Sequence, residues 1–150
     1  MGTTMERPTD HSGLEILSVD ECVELLGSRP VGRVAYMDAG APMVLPVNHR
    51  MDGRTVVFRT THGSKLAAAL MQRPVAFEVD GYTEEDRSGW SVLVRGRAEV
   101  AFDPADGDEH DGPSPEPWAD QVERGWWIRI HPEEISGRRI PDRLGDQEAT

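Results

Sequence analysis

The sequence predicts a mainly β fold: a six-stranded antiparallel barrel with a few short helices. Three observations carry that expectation. Apolar, strand-like runs recur between turn signals along most of the chain. The turns are of hairpin type, above all Asp52-Gly53 between two such runs. No strand–helix–strand alternation appears, which argues against a doubly wound parallel sheet.

Each element has its own signal. Ser18-Val-Asp-Glu21 is a capping box. Val19, Cys22, Val23 and Leu26 follow at helical spacing and Gly27 stops them, so one short amphipathic helix is expected. Strands are expected over Val31–Met37, Met43–Met51, Arg54–Thr60, Pro74–Asp80, Trp90–Phe102 and Gly125–Ile135. Pro46 marks the second of these as an edge or bulged strand. The run Leu-Ala-Ala-Ala-Leu-Met predicts a second helix over Ser64–Gln72. Gly81–Gly89 reads as an acidic loop, and Asp103–Pro117 as a solvated one that lacks the spacing of a calcium loop. Residues 1–12 read as a disordered leader, 13–142 as one domain and 143–150 as a polar tail.

Composition narrows the function. A chain of 150 residues suits one core without disulfides or metals, and the single Cys22 reads as a buried thiol. The polar N-terminal segment does not resemble a signal peptide, and no apolar run is long enough for a membrane helix, so a cytoplasmic protein is expected. A net charge of -11 opposes nucleic acids and anionic membranes as partners. An acidic protein that binds an anion must gather its few cations in one place.

One segment does so. Phe58-Arg-Thr-Thr-His-Gly-Ser-Lys65 runs from a strand end through a tight loop into a helix start. A helix N-terminus offers unsatisfied N–H groups, Ser64 and Thr60 add hydroxyls, and Arg59 and Lys65 add charge, which together suit a phosphate. Ser64 equally suits a plain helix cap. The nucleotide P-loop pattern is absent, because here Ser precedes Lys. Among the histidines His11, His49, His62, His110 and His131, no pair has zinc-site spacing. His49 and His62 are expected beside the phosphate pocket, within reach of a substrate. Trp126 and Trp127 should alternate across the last strand, one into the core and one onto a dimer or ligand surface. No nucleophile elbow is present.

The ordered set Gly32-Arg-Val-Ala, Pro46-Val-Asn48, Asp52-Gly, Phe58-Arg-Thr60, Gly63-Ser-Lys-Leu66, Val75 to Asp80, Gly89-Trp-Ser-Val92, Arg95-Gly-Arg-Ala98 and Ile135 to Ile140 resembles actinobacterial members of the pyridoxamine 5'-phosphate oxidase-like family of flavin-binding split barrels. The resemblance spans about Leu14 to Ile140. It implies a homodimer with FMN at the subunit interface. It also implies phosphate contacts from Arg59, Thr60, Ser64 and Lys65, and a flavin ring along Pro46, Val47 and Asn48. The second subunit would contribute Trp90, Ser91 and Arg138 or Arg139. A counterpart of the oxidase's C-terminal substrate-phosphate segment is missing, so pyridoxamine phosphate oxidation is not expected. The leading expectation is a flavin-dependent oxidoreductase with an unidentified small-molecule substrate. The alternatives are an F420-dependent reductase on the same fold, or a non-enzymatic carrier or sensor binding flavin or haem.

Overall fold

The computed structural model describes residues 7–60, 66, 69–71, 73–102 and 125–141. Strand β1 (Glu15–Ile16) leads into helix α1 (Val19–Leu26). Then follow β2 (Val31–Asp38), β3 (Ala41–Asp52), β4 (Thr55–Thr60), β5 (Pro74–Thr83), β6 (Ser88–Phe102) and β7 (Trp126–Ile140). The strands form one antiparallel sheet in the order β1-β7-β4-β3-β2-β5-β6, and β6 also pairs with β7. That last ladder joins the sheet to itself. Strands β2 to β7 are thus the six-stranded antiparallel barrel that the sequence predicts, and closure removes most free edges. A seventh strand, the two-residue β1, adds outside the barrel through Glu15↔Arg139 and Ile16↔Arg138.

Several elements run further than local sequence suggests. The expected acidic loop Gly81–Gly89 is mostly strand: Gly81↔Trp90, Tyr82↔Gly89 and Thr83↔Ser88 are paired, and the turn shrinks to residues 84–87. Asp86 stabilises that turn by accepting from the Ser88 amide at 3.0 Å and the Ser88 hydroxyl at 2.6 Å. The leader also joins the fold in part. The Ile16 amide donates to the Pro8 carbonyl at 2.7 Å, and Asp10 binds Arg138 at 3.1 Å. Residues 41–48 of β3 have β2 on one side only, because the β3–β4 ladder begins at His49, so Pro46 sits in an edge segment. Of the expected second helix, Leu66, Ala69 and Leu70 are helical, while Met71 forms an isolated parallel bridge with Ala98; residues 64, 65, 67, 68 and 72, and the segment Asp103–Pro117, lie outside the described residues.

Strand β7 reaches Ile140, not Ile135, because it changes face partway. Ile128 and Ile130 point into the core, so an unbroken alternation would turn Ile135 and Gly137 outward. A bulge prevents this. The β6–β7 register jumps from Arg95↔Glu134 to Gly96↔Pro132, which leaves Glu133 as the extra residue. Gly96 is needed opposite it, since a Cβ there would lie 2.1 Å from the His131 carbonyl oxygen. Beyond the bulge Ile135 packs against the core and Gly137 is buried.

Helix α1 covers one end of the barrel. Ser18 and Glu21 form the capping box, both contacts at 3.2 Å. The buried face is Cys22 and Leu26, inside a core that includes Val34, Phe58, Phe77, Val92 and Ile128. Cys22 settles against Gly137, where a Cβ would stand 2.7 Å from its Sγ. Burial pushes the thiol pKa up, so Cys22 is a packing group rather than a nucleophile. Gly137→Ala should therefore destabilise the protein by about 1–3 kcal/mol through overpacking. Adding Cys22→Ala should recover part of that loss, as chemical denaturation of the single and double variants would read.

Candidate functional site

The first group of site residues lies on the outer face where β3, β4 and β7 meet. Phe58 pairs with His49 on β3 and Ile128 on β7, and all three point inward. One step along, Arg59 and Trp127 stand in register facing outward, and Asn48, just past the end of the β3–β4 ladder, faces the same way. The Arg59 guanidinium carbon is 5.3 Å from the Trp127 ring centroid, a cation–π contact. Trp127 is only 3% exposed, whereas Trp126 packs against the core. One ring faces in and one out, as expected. On β3, Pro46 and Asn48 are half-buried on the outer face, while Val47 points into the core. Thr60 is buried on the Phe58 side, so it does not share a face with Arg59. Ser64 and Lys65 lie outside the described residues.

The second group lies at the other end of β7. Trp90 pairs with Arg139 and Ser91 with Arg138, so residues far apart in sequence stand directly opposite one another. Trp90, Ser91, Arg138 and Asp80 line a 270 Å³ hollow, from which Arg139 is absent. Arg138 donates from Nε to Asp10 at 3.1 Å and from Nη1 to the Gly137 carbonyl at 3.0 Å. Burial would raise the Asp10 pKa, but hydrogen bonds from the Leu14 and Ser12 amides and from Arg138 hold it below the usual carboxylate range.

Sequence reasoning missed four residues near these groups. Arg50 and Arg129 flank Val57 on the same outer face as Arg59. Their signal is register across three strands, which no local motif records. Glu78 and Asp80 share Arg33, at 3.2 and 3.1 Å. Burial and the neighbouring Asp80 push the Glu78 pKa up to about 7, against the opposing pull of Arg33. The alternation Phe77-Glu-Val-Asp80 puts both carboxylates on one face and was the available clue.

His49 is not beside a pocket. It is 7% exposed, stacks edge-on against Phe77 at 4.8 Å, and its Nε2–H donates to the Leu26 carbonyl at 2.7 Å. It caps the C-terminal end of α1 from within the core, which removes it as a substrate contact or axial haem ligand. His131 binds Glu99 at 2.6 Å, while His62 and His110 lie outside the described residues. Among the described residues no group of His, Cys, Asp and Glu could hold a metal ion, and no helix is long and apolar enough to cross a membrane.

A concavity of 690 Å³ lies away from both groups. It opens between Met37, Met43 and Val44 on one side and the bulge on the other. Its charges are already matched, Arg95 with Glu134 and Arg97 with Glu133 at 3.2 Å. It offers apolar surface rather than an anion site.

A closed antiparallel barrel with cations and an indole on one outer face, and a hollow at the far end of β7, defines a split barrel. A model of the pyridoxamine 5'-phosphate oxidase family matches residues 18–139, and the chain belongs to that family. It is similar to an FAD binding protein from Mycobacterium smegmatis, 34% identical, with 85% of this chain and 99% of that one covered and a TM-score of 0.64. It is also similar to a candidate pyridoxamine 5'-phosphate oxidase from Corynebacterium glutamicum, 31% identical over 85% and 98% of the two chains, with a TM-score of 0.72. The uncharacterised Mycobacterium tuberculosis protein Rv0080 is 32% identical over 148 residues, 93% of this chain and 95% of that one.

Burial lowers the His49 pKa despite the Leu26 and Pro30 backbone carbonyls, which oppose the shift. A depressed histidine contributes stability that is full above its unfolded pKa and declines as pH falls below about 6.5. Glu78, raised to about 7, acts in the opposite sense, losing stability as pH rises through that value. The difference in unfolding free energy between wild type and His49→Gln should therefore shrink steadily as pH is lowered below about 6.5. A pH-independent difference would show that His49 is not held neutral.

Proposed function

We propose that this chain is a homodimeric flavoprotein, an oxidoreductase of the cytoplasm, which holds a phosphorylated flavin between its subunits. The observation that carries this reading is the separation of the two residue groups. Trp127 and Arg138 are eleven residues apart on β7, roughly 36 Å of strand at about 3.3 Å per residue. One chain does not bring them together; two chains related by a two-fold axis would.

The residues present suit such a ligand. Arg59 and Asn48 offer donors to a phosphate, and the outer edge at Pro46 offers a half-buried wall for an apolar ring. Trp90 and Ser91 of the partner subunit would close the other side, with Arg138 of the partner subunit supplying charge. The similar Mycobacterium smegmatis protein is named as an FAD binding protein, which supports a flavin here. A bound flavin supplies hydride or electron transfer, and the chain's own part is to bind, orient and exclude water. The remaining outer face suits self-association: small Ala35 and Ala76 lie between exposed Val44 and Leu93, rimmed by ion pairs. The family's substrate need not be shared, and no turnover of pyridoxamine or pyridoxine phosphate is expected.

The test is a titration of apo protein with FMN, FAD and riboflavin, with an absorption spectrum to separate flavin from F420 or haem. Arg59→Ala should weaken binding of the phosphorylated flavins by about tenfold to a hundredfold, one charge-assisted hydrogen bond. Riboflavin, lacking phosphate, should be nearly indifferent to that change. Sedimentation of the flavin-saturated protein at micromolar concentration should give a dimer. A monomer that still binds flavin would overturn the shared site.

A further inference from the structure

The geometry points to a second anion subsite at Arg50, beside Arg59, that takes the second phosphate of a dinucleotide flavin. This rests on the flavin reading above and deepens it. It starts from how the arginines are matched. Arg33, Arg95, Arg97, Arg129 and Arg138 each have a carboxylate within 4 Å. Among the described residues Arg50 has no hydrogen bond and no ion pair, and its Nε is buried without a partner. Arg29, Arg73, Arg87 and Arg139 likewise have no carboxylate partner among the described residues, but Arg50 and Arg59 share one face, and there Arg59 has only the face of Trp127. In a chain of net charge -11, two unneutralised cations on one face call for a physical reason.

Register places them together. Arg50 pairs with Val57, and Arg59 lies two residues further along β4 on the same face, so the two side chains are diagonal cross-strand neighbours. Such neighbours sit about 7–8 Å apart, close enough for one ligand to touch both. Like charges at that spacing repel, and a buried guanidinium N–H without an acceptor is costly. An anion bridging the two removes both penalties. Arg129, next across the sheet, does not join them, because Asp52 binds it at 3.1 Å.

The direction along β3 is also consistent. Pro46 and Asn48, the wall proposed for the flavin ring, precede Arg50 on the same outer face. A ligand lying along this strand would meet Pro46 first, then Asn48 with Arg59 beside it, then Arg50. A mononucleotide ends at the first phosphate. A pyrophosphate carries a second negative group onward to Arg50, where a planar fork of donors suits it.

The experiment compares FAD, FMN and riboflavin affinities for wild type, Arg50→Gln and Arg50→Lys at fixed ionic strength. Wild type should bind FAD more tightly than FMN. Arg50→Gln should weaken FAD by about tenfold while changing FMN less than threefold, and Arg50→Lys should recover part of the loss. Equal losses for all three flavins, or no loss for FAD, would overturn the subsite. So would wild-type protein binding FAD no better than FMN, a measurement that does not depend on the variants folding. Wild type that binds no flavin at all would overturn the flavin reading itself, which separates the two failures.

Discussion

The ladder between β6 and β7 is the constraint on which the rest of the molecule depends. It runs from Phe102↔Trp126 to Gly89↔Ile140 and closes the barrel. It carries β4 on one stretch of β7 and β1 on another, so both groups of site residues are hung on the same strand. The bulge at Glu133 keeps that strand usable along its whole length, because it restores an inward face after Ile130. Without the change of face, Arg138 would point inward and Gly137 could not receive Cys22.

Charge is distributed with a similar economy. Most described arginines lie against carboxylates on the outer face, and exposed pairs of this kind contribute little stability. Their effect is to match each arginine of the outer face over β2, β5 and β6 with at least one carboxylate. Among the described residues Arg50 and Arg59, where β3 and β4 run side by side, are two neighbouring arginines on one face without a carboxylate partner. An anionic ligand would be drawn to that spot despite the protein's overall charge, since local fields dominate within about 8–10 Å in salt.

Several residues of the family pattern serve packing rather than a ligand. Gly137 makes room for Cys22, and Gly96 makes room for the His131 carbonyl at the bulge. His49, next to Asn48 in sequence, is a helix cap in the core. Adjacent residues on a strand point to opposite faces, so a short motif such as Pro46 to His49 is divided between outer face and interior.

The sequence by itself determined the class of fold, the capped helix, the hairpin at Asp52-Gly53 and the strands around the core, because these rest on local periodicity and turn chemistry. It also marked Arg59, Trp90, Ser91 and Arg138 as residues of interest through their place in a family pattern. Only the tertiary structure decided the facing of those residues and their neighbours. The parity change in β7, the burial of His49, the tie between Asp10 and Arg138, and the diagonal placement of Arg59 beside Arg50 all depend on register between strands. Register is set by closure of the whole barrel, and no window of adjacent residues contains it.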